Sequence, residues 1–540
     1  MNSATFDFNS RRALVMARRG MVAASNPLAA QAGLNILRQG GNAADAAVAA
    51  SAVMNVTEPG ACGIGGDCFA LFFDAQTKRV SALNGSGRAP QALRLEDLRA
   101  QGWTQMDPFH AHAVTVPGAV RGWHDLLERY GTMTLADVLV DAIHYADEGY
   151  PLAPTFGYGW RNNESFLRRA VNADEYLPDG KPPQPGQVIQ LRSLAKTLRL
   201  IAEGGPDAFY TGPVAETIVT TLQEQGGVMT LDDLKNHYST WDEPILTNYR
   251  GVTVYECPPN GQGLAALQAM NIASTFELRS LAWDSPERLH LMIESMRLAW
   301  ADARQYIADM SRSHVPVDEL LSQSYAEQRA ALISPERTMT PPAAYGKLPL
   351  GSDTIYLCVV DGAGNACSFI KSLYMGFGVG IVAKGTGVWL QNRGAGFVLE
   401  PGHANALEGG KRPYHTIIPG MALRDGEFWA CFGVMGGFMQ PQGHLQVMSA
   451  MLDDDLNPQE ALNRPRWYIL DGKPDGEVLL EEGIPVSTMA RLAEMGHKVR
   501  PVSGWGRRVF GRGQIIRRDP YTGVLFGGSE PRADGLAAAF

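Results

Sequence analysis

Residues 351–374 read GSDTIYLCVVDGAGNACSFIKSLY, two apolar runs around a short glycine-bearing turn. The pattern predicts an antiparallel β-hairpin. If Gly362-Ala363-Gly364 form a three-residue loop, Asp361 faces Asn365, and counting back sets Thr354 opposite Ser372. Directly opposed residues share a face with Cβ atoms about 5 Å apart, so two hydroxyls are expected to meet at the open end of the hairpin. A four-residue loop would set Thr354 against Leu373 instead. A threonine hydroxyl is a weak nucleophile until a base takes its proton, and an N-terminal α-amine, with a pKa near 7.7–8, can be that base. Thr354 gains such an amine only if the bond after Asp353 is cut. By spacing alone, Asp-Thr at a strand start is more often a cap or an edge.

Outward from the hairpin, PLAAQAGLNILRQGG reads as a helix stopped by Gly40-Gly41, and Asn42 as the cap of an alanine-rich helix, AADAAVAASAVMNV. A glycine-rich loop, a strand, a turn at Asp74–Lys78 and a second strand follow. Residues 119–240 read as mainly helical, 251–260 as a strand and 289–309 as a long amphipathic helix. Residues 311–351, rich in Ser, Pro and Ala, read as an exposed linker able to tolerate a cut. Further strands are expected at 354–361, 366–373, 387–391 and 428–434, with helices at 441–454 and 487–495. Strands in hairpins with helices grouped around them favour an α+β layered sandwich over a parallel βαβ fold. GQGLAA (261–266) imitates a dinucleotide fingerprint, but no alternating strand–helix pattern surrounds it, and it reads as a turn before a helix.

The chain has 540 residues, 45% apolar and 19% charged, enough for a large core. Its net charge is −9 with no basic patch, so no nucleic-acid partner is expected. Arginines at 11, 12, 18 and 19 interrupt any signal-peptide core, and no apolar run reaches the roughly 18 residues of a membrane span. The six cysteines form no CxxC pair and read as reduced, buried thiols of a cytoplasmic protein. His110 and His112 are the only close histidine pair; no metal and no cofactor are expected.

Several further segments carry a resemblance over nearly the whole chain: GGNAADAAVA (40–49), EPGACGIGGDCF (58–69), VPG (116–118), YRG (249–251), ESMRLAWADAR (294–304), KRPYHTIIP (411–419), GVMGG (433–437) and SEPRADG (529–535). With the hairpin, they make the chain resemble the γ-glutamyltransferase family of threonine N-terminal-nucleophile hydrolases. The resemblance implies a four-layer αββα sandwich and self-cleavage between Asp353 and Thr354. The products would be a large subunit, 1–353, and a small one, 354–540, which together form one composite domain; a dimer of such heterodimers is an open option. It also implies Thr354 as nucleophile, Ser372 as the second hydroxyl, and Gly436 and Gly437 as oxyanion-hole donors.

The same resemblance locates departures. Where the family binds a γ-glutamyl α-carboxylate with arginine, this chain has Ser86, with Arg88 two residues on. Gly396 stands at the position of the aspartate that binds the α-ammonium. Arg393 replaces a glutamine, Tyr374 an asparagine, and His415-Thr416 a serine pair. Loss of both poles of the clamp points to a small acidic amide without an α-amine. Within the family this resembles the branch that hydrolyses oxamate to oxalate and ammonia in purine degradation, with Arg393, Tyr374, His415, Thr416 and Arg88 as candidate substrate contacts. The alternatives are a γ-glutamyltransferase or glutathione hydrolase, an acylase for a larger acyl group such as glutaryl, favoured by a cavity too large for oxamate, and an uncleaved scaffold without catalysis.

Overall fold

The computed structural model describes residues 12–339 and 353–540. The hairpin pairs Asp353–Val360 with Ala366–Tyr374, in register from Ile355 opposite Lys371 to Val360 opposite Ala366. Asp361 N–H donates to Asn365 O at 3.0 Å, which makes 362–364 the three-residue loop. The Asp361 carboxylate fixes the turn: one oxygen accepts from the Ala363 and Asn365 N–H groups, the other from Asn365 Nδ2 and Ala43 N–H. The register slips by one residue at the open end, where Asp353 pairs with Tyr374.

Both strands are apolar on both faces because each lies in a central layer. One seven-stranded sheet runs, edge to edge, through Leu536–Ala539, Met21–Ala24, the two hairpin strands, Asp67–Asp74, Arg79–Gly85 and Thr240–Asp242. The other runs through Val15–Ala17, Leu525–Ser529, Arg512–Arg518, Glu427–Met435, Gly420–Arg424, Val252–Glu256 and Ile245–Tyr249. Alternation along the hairpin sends Tyr356, Cys358 and Ile370 into the cluster between the sheets, and Ile355, Leu357 and Phe369 into the cluster under the helices. Each fully buried side chain of this size stabilises the fold by roughly 1.5–3 kcal/mol. The sheets approach so closely that a Cβ on Gly433 would stand 2.5 Å from the Tyr356 ring.

Helices Pro27–Arg38 and Ala43–Thr57 cover the hairpin sheet, and Gly263–Ser274 and Met439–Leu452 cover the other, completing the αββα sandwich. Asn42 caps the alanine-rich helix, with Asp45 closing a capping box. Every residue of that helix is buried, which its small side chains permit between sheet and neighbouring helices.

Residues 311–339 are not an exposed linker. They include helices Val317–Leu320 and Gln323–Ala330, and Val315, Leu320, Ala326 and Ile333 are buried. Thr338 N–H donates to Met495 O, and Met339 N–H to Glu294 Oε2, each at 2.8 Å. Sparse apolar residues in a Ser- and Pro-rich stretch show no period, yet those four are buried while Leu332 stays exposed. The rest of the expected linker lies outside the described residues. The strand expected at 387–391 shrinks to Val388–Trp389, and GQGLAA is a turn opening helix Gly263–Ser274. All six cysteines are buried free thiols. Among the described residues no helix is long and apolar enough to cross a membrane.

The turn lock gives a measurable expectation. Asp361→Ala should leave four donors without their acceptor and destabilise the protein by about 2–3 kcal/mol, read as a lower urea midpoint at unchanged slope.

Candidate active site

The slipped register places the bond between Asp353 and Thr354 at a break in the ladder, against a row of polar groups. Thr354 Oγ1 lies 3.3 Å from Ser372 Oγ, and the Ser372 hydroxyl donates to Asp353 O at 2.8 Å. Ser372 Oγ also accepts from Tyr374 N–H at 2.8 Å and from Arg393 Nη2 at 3.0 Å. Asp67 stands opposite Ser372 on the next strand. Thr354, Ser372 and Asp67 are all buried. Tyr374 adopts φ 81°, a conformation that non-glycine residues hold only when their surroundings enforce it.

Arg393 is fully buried without a carboxylate in contact among the described residues. Nη1 donates to Thr416 Oγ1 at 2.8 Å, the guanidinium lies 4.3 Å over the Tyr374 ring, and Nε has no partner. Burial pushes its pKa down to about 10, against the pull of Asp67. Asp67 accepts from Gly87 N–H, Gly118 N–H, Gln391 Nε2 and His415 Nε2, at 3.0, 3.2, 2.9 and 3.1 Å. Burial raises its pKa to about 6, with Arg393 opposing the rise. Burial first, then Arg393 and Arg412, hold His415 well below its ordinary value, so its ring is neutral. Ile417 N–H approaches His415 Nδ1 at 3.4 Å, which assigns the ring proton to Nε2, facing Asp67.

Gly436 and Gly437, past the end of strand Glu427–Met435, adopt φ 135° and 57°. Their carbonyls are engaged: Gly436 O accepts from Met439 N–H, and Gly437 O from Gln440 N–H and Gln262 Nε2. Neither glycine's N–H donates to a described residue. Gly436 borders a cleft of about 290 Å³ that also reaches Asp353, Trp160, Phe377, Arg508 and Arg512.

Of the two candidate arginines, Arg393 touches the hydroxyl pair and Arg88 does not. Arg88 lies 4.0 Å over the Tyr238 ring and donates to Tyr238 O at 3.2 Å, beside Arg412. Ser86 is held by Asn84 Oδ1 at 2.6 Å and Asn260 Nδ2 at 3.3 Å. At Gly396 a Cβ would stand 2.6 Å from Tyr414 O, so no acidic side chain fits there without moving that strand of chain. Asp67 and Glu58, both at this site, lie inside EPGACGIGGDCF but were not singled out by sequence reading. Their partners, Gln391 and Arg512, carried no local signal. A cluster of His290, Glu294 and His497 has the spacing to hold a metal, but Arg297 Nε lies 3.2 Å from the Glu294 carboxylate, and the cluster is remote from the hydroxyl pair in sequence and contacts.

Chemically, addition of Thr354 Oγ1 to the preceding carbonyl carbon would close a five-membered ring, and that carbonyl oxygen already accepts the Ser372 hydroxyl. A family model described as Gamma-glutamyltranspeptidase matches residues 29–540. The chain is 38% identical to the Glutathione hydrolase-like YwrD proenzyme of Bacillus subtilis, over 97% of this chain and 99% of that one. It is 34% identical to the Oxamate amidohydrolase proenzyme of Klebsiella pneumoniae, over 96% and 98% respectively. The crystal structure of cephalosporin acylase from Bacillus halodurans is similar at TM-score 0.93 and 45% identity, over 99% of this chain and 98% of that chain.

Asp67→Asn should turn an acceptor of four donors into a group that opposes some of them, leaving Arg393 without its nearest opposite charge. The expected loss is about 3–5 kcal/mol of stability, measured by thermal or urea unfolding.

Proposed function

The chain belongs to the gamma-glutamyltranspeptidase family, hydrolases acting on amide bonds, and from that premise we propose that it hydrolyses a small acidic amide, foremost oxamate, after cutting itself before Thr354. The proenzyme names of its relatives support the cut. In the precursor, Thr354 Oγ1 adds to the Asp353 carbonyl carbon while Ser372 donates to the carbonyl oxygen. The C–N bond breaks, the Thr354 nitrogen keeps the proton from Oγ1, and water hydrolyses the ester. The result is 1–353 and 354–540.

In the mature enzyme the freed α-amine takes the Oγ1 proton and the oxygen adds to the substrate amide carbon. The N–H groups of Gly436 and Gly437 are suited to hold the resulting oxyanion. The α-ammonium passes its proton to the leaving nitrogen, ammonia departs, and water releases the acid from the ester.

One observation carries the choice of substrate: among the described residues Arg393, buried beside Ser372, has no carboxylate partner and keeps an unpaired Nε–H. Guanidinium suits a carboxylate adjoining the reacting carbonyl, which oxamate has. A γ-glutamyl substrate would also bring an ammonium, and the space at Gly396 holds no acid to receive it. The acylase reading draws support from the cleft beside Asp353, whose volume exceeds what oxamate needs, and from the likeness to cephalosporin acylase.

Purified protein should resolve into two chains on a denaturing gel, the smaller beginning at Thr354, and Thr354→Ala should remain one inactive chain. Cleavage of that variant at the same bond would rule out the threonine hydroxyl. Wild type should release ammonia from oxamate and little from glutamine, and Arg393→Ala should raise KM for oxamate about ten-fold or more. Preference for glutamine or glutathione would return the chain to γ-glutamyl chemistry.

A protonated α-amine cannot act as base. With its reference pKa near 7.7–8, kcat/KM should fall below about pH 7, and a flat profile would exclude the amine.

A further inference from the structure

The cleft beside Asp353 carries charge that the oxamate reaction does not use. Asp353 Oδ1 lies 3.3 Å from Arg512 Nη2, and the same nitrogen donates to Thr354 O at 3.3 Å. Glu58 Oε2 stands 3.8 Å from Arg512 Nη1, while Glu58 Oε1 accepts the Ser25 hydroxyl at 2.8 Å. Arg508 lines the same cleft, makes no ion pair with a described residue, and has a buried Nε without a hydrogen-bond partner. A further acid in its electrostatic neighbourhood, Asp534, accepts the N–H groups of Thr155 and Phe156. In the uncut chain, then, the Arg508 and Arg512 cations share the cleft with the Asp353 carboxylate, with Glu58 3.8 Å from Arg512. Withdrawal of Asp353 removes the acid nearest Arg512 and leaves an anion-sized place beside Arg508 and Arg512, whose remaining acidic neighbours are Glu58 and Asp534. That place, between the aromatic walls of Trp160 and Phe377, favours a new anion.

Asp353 also shows the shape of that anion. It is the acyl group of the bond next to Thr354, and from its carbonyl carbon Cα and Cβ lead to the carboxylate, the carbon skeleton of a succinyl group. Resting on the reading of Thr354 as nucleophile, we infer that Arg508 and Arg512 become a carboxylate subsite after self-cleavage, and that four-carbon dicarboxylic half-amides, succinamate or its N-substituted forms, are substrates. Oxamate carries its carboxylate on the scissile carbon and meets Arg393; a succinyl chain extends into the place Asp353 has left. The reaction balances with water alone. The amide C–N bond breaks as Thr354 Oγ1 forms an ester, the leaving nitrogen takes the α-ammonium proton, and hydrolysis of the ester yields succinate.

The test uses the fully cut enzyme and measures amine release from oxamate, malonamate, succinamate and butyramide, the last having no carboxylate. Succinamate should exceed malonamate and butyramide by about ten-fold or more in kcat/KM, the scale of a charge-assisted contact. Arg508→Gln should lower kcat/KM for succinamate about ten-fold more than for oxamate. Butyramide turned over as fast as succinamate, or a variant that falls equally on both acids, would overturn the subsite; the first comparison needs no variant and so does not depend on its folding. Succinamate inert while oxamate is hydrolysed would overturn the subsite and leave the oxamate reading standing. Both inert in fully cut protein would overturn the two together.

Discussion

Ser372 Oγ is the atom on which the rest of the site depends. A hydroxyl oxygen has two lone pairs and one proton. Here three donors converge on it, Tyr374 N–H, Arg393 Nη2 and Thr354 Oγ1, while its own proton goes to Asp353 O. The donors exceed the lone pairs, and the longest contact, 3.3 Å, is that of Thr354. The threonine proton is therefore the one least firmly held, and the carbonyl it faces is already polarised. A backbone turn at φ 81° at Tyr374 keeps this oversubscribed oxygen in place.

Such crowding needs a rigid frame. Ser372 sits between Thr354 and Asp67 on adjacent strands, and the hairpin is buried on both faces, so a shift of one residue would exchange its inner and outer side chains. The sheets meet at a spacing that leaves no room for a Cβ on Gly433. The same sheet contact brings Gly436 to the cleft beside Asp353.

Two buried cationic groups divide the surroundings. On one side Arg393 is balanced at a distance by Asp67, itself held by backbone N–H groups and a neutral His415. On the other, Arg508 and Arg512 face Glu58 and the residue that would become a new chain end. Buried charges of this kind cost several kcal/mol each when unpaired, and that cost is the physical ground for proposing an anionic ligand at each group.

Features with a short-range cause were legible in the sequence. The loop length of the hairpin set the register from Ile355 to Val360, which brings Thr354 to within 3.3 Å of Ser372, and Asn42 announced the alanine-rich helix; turn chemistry and caps act over a few residues. Gly436, Gly437, Arg393 and Gly396 were singled out through resemblance rather than period. The docking of 311–339, the separation of Arg88 from Arg393, and the meeting of Glu58, Arg508 and Arg512 at Asp353 were not. They depend on strand order and on how two sheets stack, contacts between residues hundreds of positions apart, and no local period encodes them. Sequence determined which residues could react; the tertiary packing decided which charges stand beside them.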